Sequence, residues 1–172
     1  MYRFSPIKSE DELRKAIEYT HRACFELCKK ILGKYLTVAG NIGIFCHDED
    51  EYTVLTDIRK KLTIETDNWN QKYFRLHDPI VMPEVDGVPG AVYTYLYIRK
   101  PDEHAEVGDV DFVLGNGEYM ELKDSLLQGT KRKGVEIFDR PGIELLRLSD
   151  PDFDVLSFAG PKNMEENLKE NN

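Results

Sequence analysis

The chain has 172 residues, a formal net charge of −9, 41% hydrophobic residues and 32% charged ones. This balance suits one globular domain with a substantial core and excludes a disordered chain. The negative charge argues against general affinity for nucleic acid or anionic membrane, since both need a cationic face. No apolar run approaches the roughly 18 residues of a membrane span. The opening MYRFSPIKSEDELRK has no signal-peptide apolar region, so cytoplasm is the expected compartment. Cys24, Cys28 and Cys46 are an odd set without a disulfide framework's spacing, and they suit a reducing environment.

Ser9-Glu10-Asp11-Glu12 reads as a capping box, with hydroxyl and carboxylate each satisfying an orphan N–H. Leu13, Ile17, Thr20, Cys24, Leu27, Cys28 and Ile31 then share one stripe, which predicts a long amphipathic helix over 9–33, ending at Gly33. A strand interrupted by Gly40 and Gly43 is expected over 36–46. Asp48 starts a second helix, acidic where the helix dipole favours it. A polar loop from Thr63 to Gln71 carries the only tryptophan, Trp69, and strands are expected at 73–82 and 91–99 around the turn-rich Asp86–Gly90. The last third predicts a strand at 108–114, a helix capped by Asn116 and closed by Gly129, strands at 134–139, 143–149 and 154–160, and a polar tail.

Superposing Glu51-Tyr52 on Glu118-Tyr119, 67 residues apart, also matches Phe45 with Phe112 and Leu55 with Leu122. Strand, turn and helix coincide in the two copies. The expectation is one α+β domain over 1–172, built from paired βαββ(β) modules at 36–100 and 107–160, with the long N-terminal helix added and 161–172 as tail.

Three short segments carry a family resemblance. Asp150-Pro151-Asp152-Phe153-Asp154-Val155-Leu156-Ser157-Phe158 resembles the ending of vicinal oxygen chelate modules, the glyoxalase/bleomycin-resistance superfamily. Asn41-Ile42-Gly43-Ile44-Phe45 and Asp109-Val110-Asp111-Phe112 resemble that superfamily's first strands. The resemblance implies two modules around a cavity holding a divalent metal, with ligands from first and last strands. The matching positions here are Asn41, Asp109 and Ser157, and Phe153 stands where the motif has Gly. An amide and a hydroxyl make a poor substitute for imidazole or several carboxylates. No metal and no cofactor are therefore expected. The reading that follows is metal-independent binding of a small molecule or protein partner in a cavity lined by Asn41, Tyr93, Tyr95, Tyr97, Asp109, Ser157 and Trp69. A metalloenzyme with altered ligands is an alternative. The tyrosine face of 91–99 also suits a homodimer interface, and neither nucleic acid nor membrane is expected as a partner.

A rival lies in GDVDFVLGNGEYMELKD. Read as a hairpin turning at Asn116-Gly117, Asp111, Glu121 and Lys123 resemble the Mg²⁺-dependent PD-(D/E)xK nucleases. Against it, Tyr119, Leu122 and Leu126 are helically spaced, which favours solvent-facing helix charges. His21, Cys24, Cys28 and Cys46 suggest zinc, but the two helix cysteines sit within the apolar stripe, and buried thiols act as small hydrophobes. His77-Asp78-Pro79 reads as a turn rather than a general-base pair, and His104 as an exposed loop residue. Lys131-Arg132-Lys133 reads as a solvated loop.

Overall fold

Ser9 opens α1 (Glu10–Leu32) as its hydroxyl predicts, accepting the Glu12 N–H at 3.2 Å. The Glu12 carboxylate reaches one residue further back than a capping box requires, accepting from the Lys8 N–H at 2.6 Å. Gly33 closes the helix in the left-handed conformation, φ 78°, and returns its N–H to the Lys29 carbonyl at 2.8 Å. Only a residue without a Cβ takes that conformation without strain. The predicted stripe is buried: Leu13, Ile17, Thr20, Cys24, Leu27 and Cys28, with Phe25 beside them.

The computed structural model describes residues 2–65, 72–140 and 143–161. Within these, α1 is followed by β1 (Thr37–Phe45), α2 (Glu49–Leu62), β2 (Phe74–Met82), β3 (Ala91–Arg99), β4 (Gly108–Val113), α3 (Asn116–Leu127), β5 (Val135–Arg140), β6 (Ile143–Leu148) and β7 (Leu156–Gly160). The fold is mixed α+β. The strands form one sheet in the order β2-β3-β1-β4-β7-β6-β5. β1 runs parallel to β3, and β4 runs parallel to β7. A parallel partner cannot be reached by a tight turn; in each half the chain passes through a helix before the returning strand. β1 and β4 lie antiparallel at the centre and join the halves.

Every helix contributes to one core on one face of this sheet. Leu13, Ile17 and Phe25 of α1, Leu55 of α2 and Tyr119 of α3 belong to the same buried cluster as Ile42, Ile44, Leu96, Val110, Phe112 and Leu146. The opposite face keeps only a smaller cluster of Ala39, Phe45, Leu145, Leu156 and Phe158. Cys24 and Cys28 pack inside the helix-side core, where Cys24 Sγ donates to the Leu156 carbonyl at 3.1 Å. Burial pushes the Cys28 thiol up to about 11 and the other two thiols up as well.

Several expectations need correction. Helix α3 begins at Gly115 without a side-chain cap, so Asn116 lies inside it. Because 116–127 is helical, the nuclease hairpin does not form: Glu121 and Lys123 are not on a strand beside Asp111, and Lys123 pairs with Glu144 at 2.5 Å. His77 and Asp78 are exposed positions inside β2, not a turn. The 67-residue superposition is kept at the helix starts but not in the strands. Phe45 packs on the open face and Phe112 on the helix face, so the copies are out of phase there. Glu51 is buried, accepting from Ser5 Oγ at 2.6 Å, Ile7 N–H at 2.7 Å and His47 N–H at 2.8 Å. Its counterpart Glu118 reaches out to Lys34. Trp69 and the tail beyond 161 lie outside the described residues. Among the described residues no helix is long and apolar enough to cross a membrane.

Phe25 is 1% exposed and meets the Phe112 ring edge-on at 5.0 Å between centroids. Phe25→Ala is expected to cost about 3–5 kcal/mol, the range for emptying an aromatic site in a core, read as a lowered urea midpoint with unchanged slope.

Candidate functional site

Strand alternation decides which residues share the open face. On β4, Val110 and Phe112 point into the helix-side core, so Asp109 and Asp111 point away from it; both are buried, at 4% and 5% exposure. On β1, Asn41 faces the same way, because its amide N–H donates to the Asp111 carboxylate. Tyr73, just before β2, donates its hydroxyl to the same carboxylate at 3.2 Å. The Tyr73 ring lies 5.5 Å from that of Tyr97, and Lys72 Nζ sits 4.5 Å above the Tyr97 ring.

Gly43 makes room for this arrangement. A Cβ built there would stand 2.0 Å from Asp109 Oδ1 and 3.2 Å from the Tyr97 ring. No side chain fits without expelling the carboxylate.

On the other side of the acidic pair the face is apolar. Asp109 is in register with Leu156, and Asp111 with Phe158. Leu145 and Phe138 continue the wall, and Arg147 lies beside Phe158 on β6. These residues and the 103–106 loop line a cavity of about 650 Å³, within the range of small-molecule sites. At its rim His104 contacts Asp102 at 2.8 Å and packs edge-on against Phe45, and Arg99 pairs with Asp102 at 2.6 Å. His104 is therefore part of the cavity wall, not a free loop residue. Asp102 is held down to about 2 by hydrogen bonds from the His104 backbone, Arg99 and His104, which outweigh its desolvation. Another cavity, about 550 Å³, runs between α1 and β2 along Ile17, Ile80 and Val85. Its charged members Arg14, Glu18, Lys61 and Asp78 are exposed surface groups, whereas the acidic pair is buried.

Of the residues singled out in sequence, Asn41, Tyr95, Tyr97 and Asp109 share the open face; Tyr95 is in register with Asn41, and Tyr97 with Gly43. Two are misplaced. Ser157 lies between the cavity residues Leu156 and Phe158, so it points the other way and its hydroxyl reaches the Cys24 carbonyl of α1 at 3.5 Å. Tyr93 also turns to the helices, its hydroxyl 2.8 Å from His21 Nδ1. The β2–β3 register shifts between Arg75 and Ile80, and Tyr93 and Tyr95 fall on opposite faces despite their spacing. His21 is thus a core residue, and burial lowers its pKa. The residues missed are Tyr73, Asp111 in this role and Arg147. The alternation Asp109-Val110-Asp111-Phe112 could have revealed the second carboxylate. Nothing near Tyr73 announced it.

No protein-family model matches the chain, and no curated protein does either. Among solved structures, a variant of Streptomyces coelicolor methylmalonyl-CoA epimerase in complex with 2-nitronate-propionyl-CoA is similar. It is 16% identical over 73% of this chain and 98% of that one, with a TM-score of 0.33. A methylmalonyl-CoA epimerase in complex with methylmalonyl-CoA and NH4+ is 16% identical over 74% and 96%, with a TM-score of 0.34. Both scores lie below the level at which a shared fold follows.

A divalent metal does not fit the residues present. Of the three positions that the resemblance implies, Ser157 faces the helices, which leaves only Asn41 and Asp109 on the open face. Among the described residues no three His, Cys, Asp or Glu side chains converge. The carboxylates instead face hydrogen-bond donors and a lysine.

Burial raises the Asp111 pKa, opposed by the Asn41 hydrogen bond, by Lys72 and by Tyr73. The native state therefore holds this proton more tightly than the unfolded chain does. Ionisation destabilises the fold as pH rises from the unfolded carboxyl range, about 4, through the folded pKa. Asp111→Asn is expected to be more stable than the parent at neutral pH, and urea unfolding should show the gap closing below about pH 4. Gly43→Ala is expected to lose about 1–3 kcal/mol by the same measurement, the cost of overpacking.

Proposed function

We propose that residues 36–160 form two vicinal-oxygen-chelate-like modules, 36–100 and 107–160, whose shared open face binds a small molecule without a metal. The observation that carries this reading is the buried pair Asp109 and Asp111 beside the apolar wall of Leu156, Phe158 and Leu145. Buried carboxylates are costly unless something compensates them. Here the Asp111 carboxylate meets an amide, a phenol and Lys72, and the Asp109 carboxylate is buried beside it. Two buried carboxylates make the centre of the cavity suited to a cationic, hydrogen-bond-donating group. The tyrosine rings add their negative faces to the attraction, and the apolar wall suits a hydrocarbon body next to that group.

The ligand is thus an amphipathic amine of modest size, held by charge-assisted hydrogen bonds at one end and by burial at the other. Lys72 stands where such an amine would stand and is the group it displaces or accompanies. The metal-independent part of the proposal rests on Ser157, which faces the helices instead of the cavity, and on the described residues, among which no three His, Cys, Asp or Glu side chains converge.

Benzylamine and benzyl alcohol distinguish the charge from the ring. Titration calorimetry of the full chain should detect benzylamine and not the alcohol, with affinity unchanged by a chelator and reduced about tenfold or more in Asp111→Asn, as expected for a hydrogen bond to a charged group. Binding abolished by the chelator, or stoichiometric divalent metal in the purified protein, would sink the metal-free reading. Equal binding of alcohol and amine would remove the carboxylates from the recognition.

A further inference from the structure

Arg147 is not used by this reading, although it lines the same cavity. It stands opposite Phe158 across the β6–β7 ladder, and Phe158 stands opposite Asp111 across the β7–β4 ladder. Arg147, Phe158 and Asp111 therefore form one row across the sheet, with a carboxylate at one end, a guanidinium at the other and a ring between. Adjacent strands lie roughly 4.8 Å apart, so the two charged residues are about 10 Å apart at their Cα atoms. The guanidinium lies 3.8 Å from Glu136 on β5, the neighbour of β6 on the side away from Asp111.

The surroundings of Arg147 leave its charge available. Its Nε is buried without a hydrogen-bond partner, a costly condition for a charged donor. Its ion pair, to Glu136 in the neighbouring strand, is 3.8 Å long, and that glutamate is 69% exposed. Exposed pairs of such length contribute little. The fork of a guanidinium suits a carboxylate through two parallel hydrogen bonds. The other cation at the rim, Arg99, already has Asp102 as its partner.

We infer that the cavity takes a zwitterion whose ammonium and carboxylate are separated by an apolar spacer, the ammonium at Asp111 and Asp109 and the carboxylate at Arg147. This deepens the amine-binding reading and rests on it. A hydrogen bond of roughly 2.8 Å at each end takes up part of the distance, and a short apolar spacer lying over Phe158 separates the ligand's charges by the remainder. Asp109, in register with Leu156 one step along β4, widens the anionic end without lengthening the row.

The test uses the full chain and three probes: 4-(aminomethyl)benzoate, benzylamine and 4-methylbenzoate. Calorimetry should show 4-(aminomethyl)benzoate binding about tenfold or more tightly than benzylamine. Arg147→Gln should erase that advantage, leaving the two amines bound about equally, and Arg147→Lys should keep part of it. Equal affinity of the two amines for the parent protein overturns the inference, and benzylamine binding sensitive to Asp111→Asn would then leave the amine reading standing. Loss of benzylamine binding in a folded Arg147→Gln variant also overturns it, since Arg147 would then only support the cavity. Failure of both amines to bind overturns the inference together with the reading beneath it.

Discussion

The packing of α1 across one face of the sheet is the constraint on which the rest depends. It buries Leu13, Ile17, Phe25 and Cys28 against the central strands, and α2 and α3 extend the same core. A sheet covered on one side sorts its residues by alternation: every second side chain is committed to the core, and its neighbours are left to the open face. The acidic pair exists because Val110 and Phe112 are drawn into the core. Asp109 and Asp111 then have no choice of side. The same reasoning removes Ser157, which is held against α1 by the commitment of Leu156 and Phe158 to the cavity.

Element boundaries were legible because the local chemistry is consistent. Ser9 and Gly33 bracket α1, Asp48 caps α2, and the strands follow apolar runs between turn residues. Facing was less legible, and the reason is physical. A one-residue slip in a strand reverses every side chain, and bulges introduce such slips without a strong mark in sequence. The β1–β4 register shifts between Val38 and Ile42, and the β2–β3 register between Arg75 and Ile80. The first leaves the facing of β1 unchanged; Phe45 and Phe112 lie on opposite faces, although they align in the 67-residue superposition, because Ile42 and Ile44 fill the core from one strand and Val110 and Phe112 from the other. The second separates Tyr93 from Tyr95. Half of the candidate site was therefore found through residues read correctly on β1 and β4. The missing members come from Tyr73, outside any strand, and from Arg147, two strands away from the acidic pair.

Holding Asp109 and Asp111 out of water is a cost that folding alone does not require. Replacing either by an apolar residue of similar size would relieve it, as buried charges often prove dispensable for stability. The surrounding residues are instead arranged to keep the carboxylates in place. Gly43 gives up a side chain to leave Asp109 its space, and Asn41 and Tyr73 donate to Asp111. Desolvated carboxylates in a cavity, with donors arranged around them, mark a candidate functional site.

The two halves of the sheet do not contribute equally, and this asymmetry bears on the chemistry. Here the β3 side offers Tyr95 and Tyr97, the β7 side offers Leu156 and Phe158, and the buried carboxylates Asp109 and Asp111 come from β4. Such a face has direction. It runs from phenols through an acidic centre to an apolar wall and ends at a guanidinium. A spherical ion has no use for that gradient, whereas an elongated molecule with unlike ends can lie along it in only one orientation. The open face of the seven-stranded sheet supplies a cavity. The difference between its sides gives the cavity polarity, and a ligand with unlike ends would lie along it in one orientation.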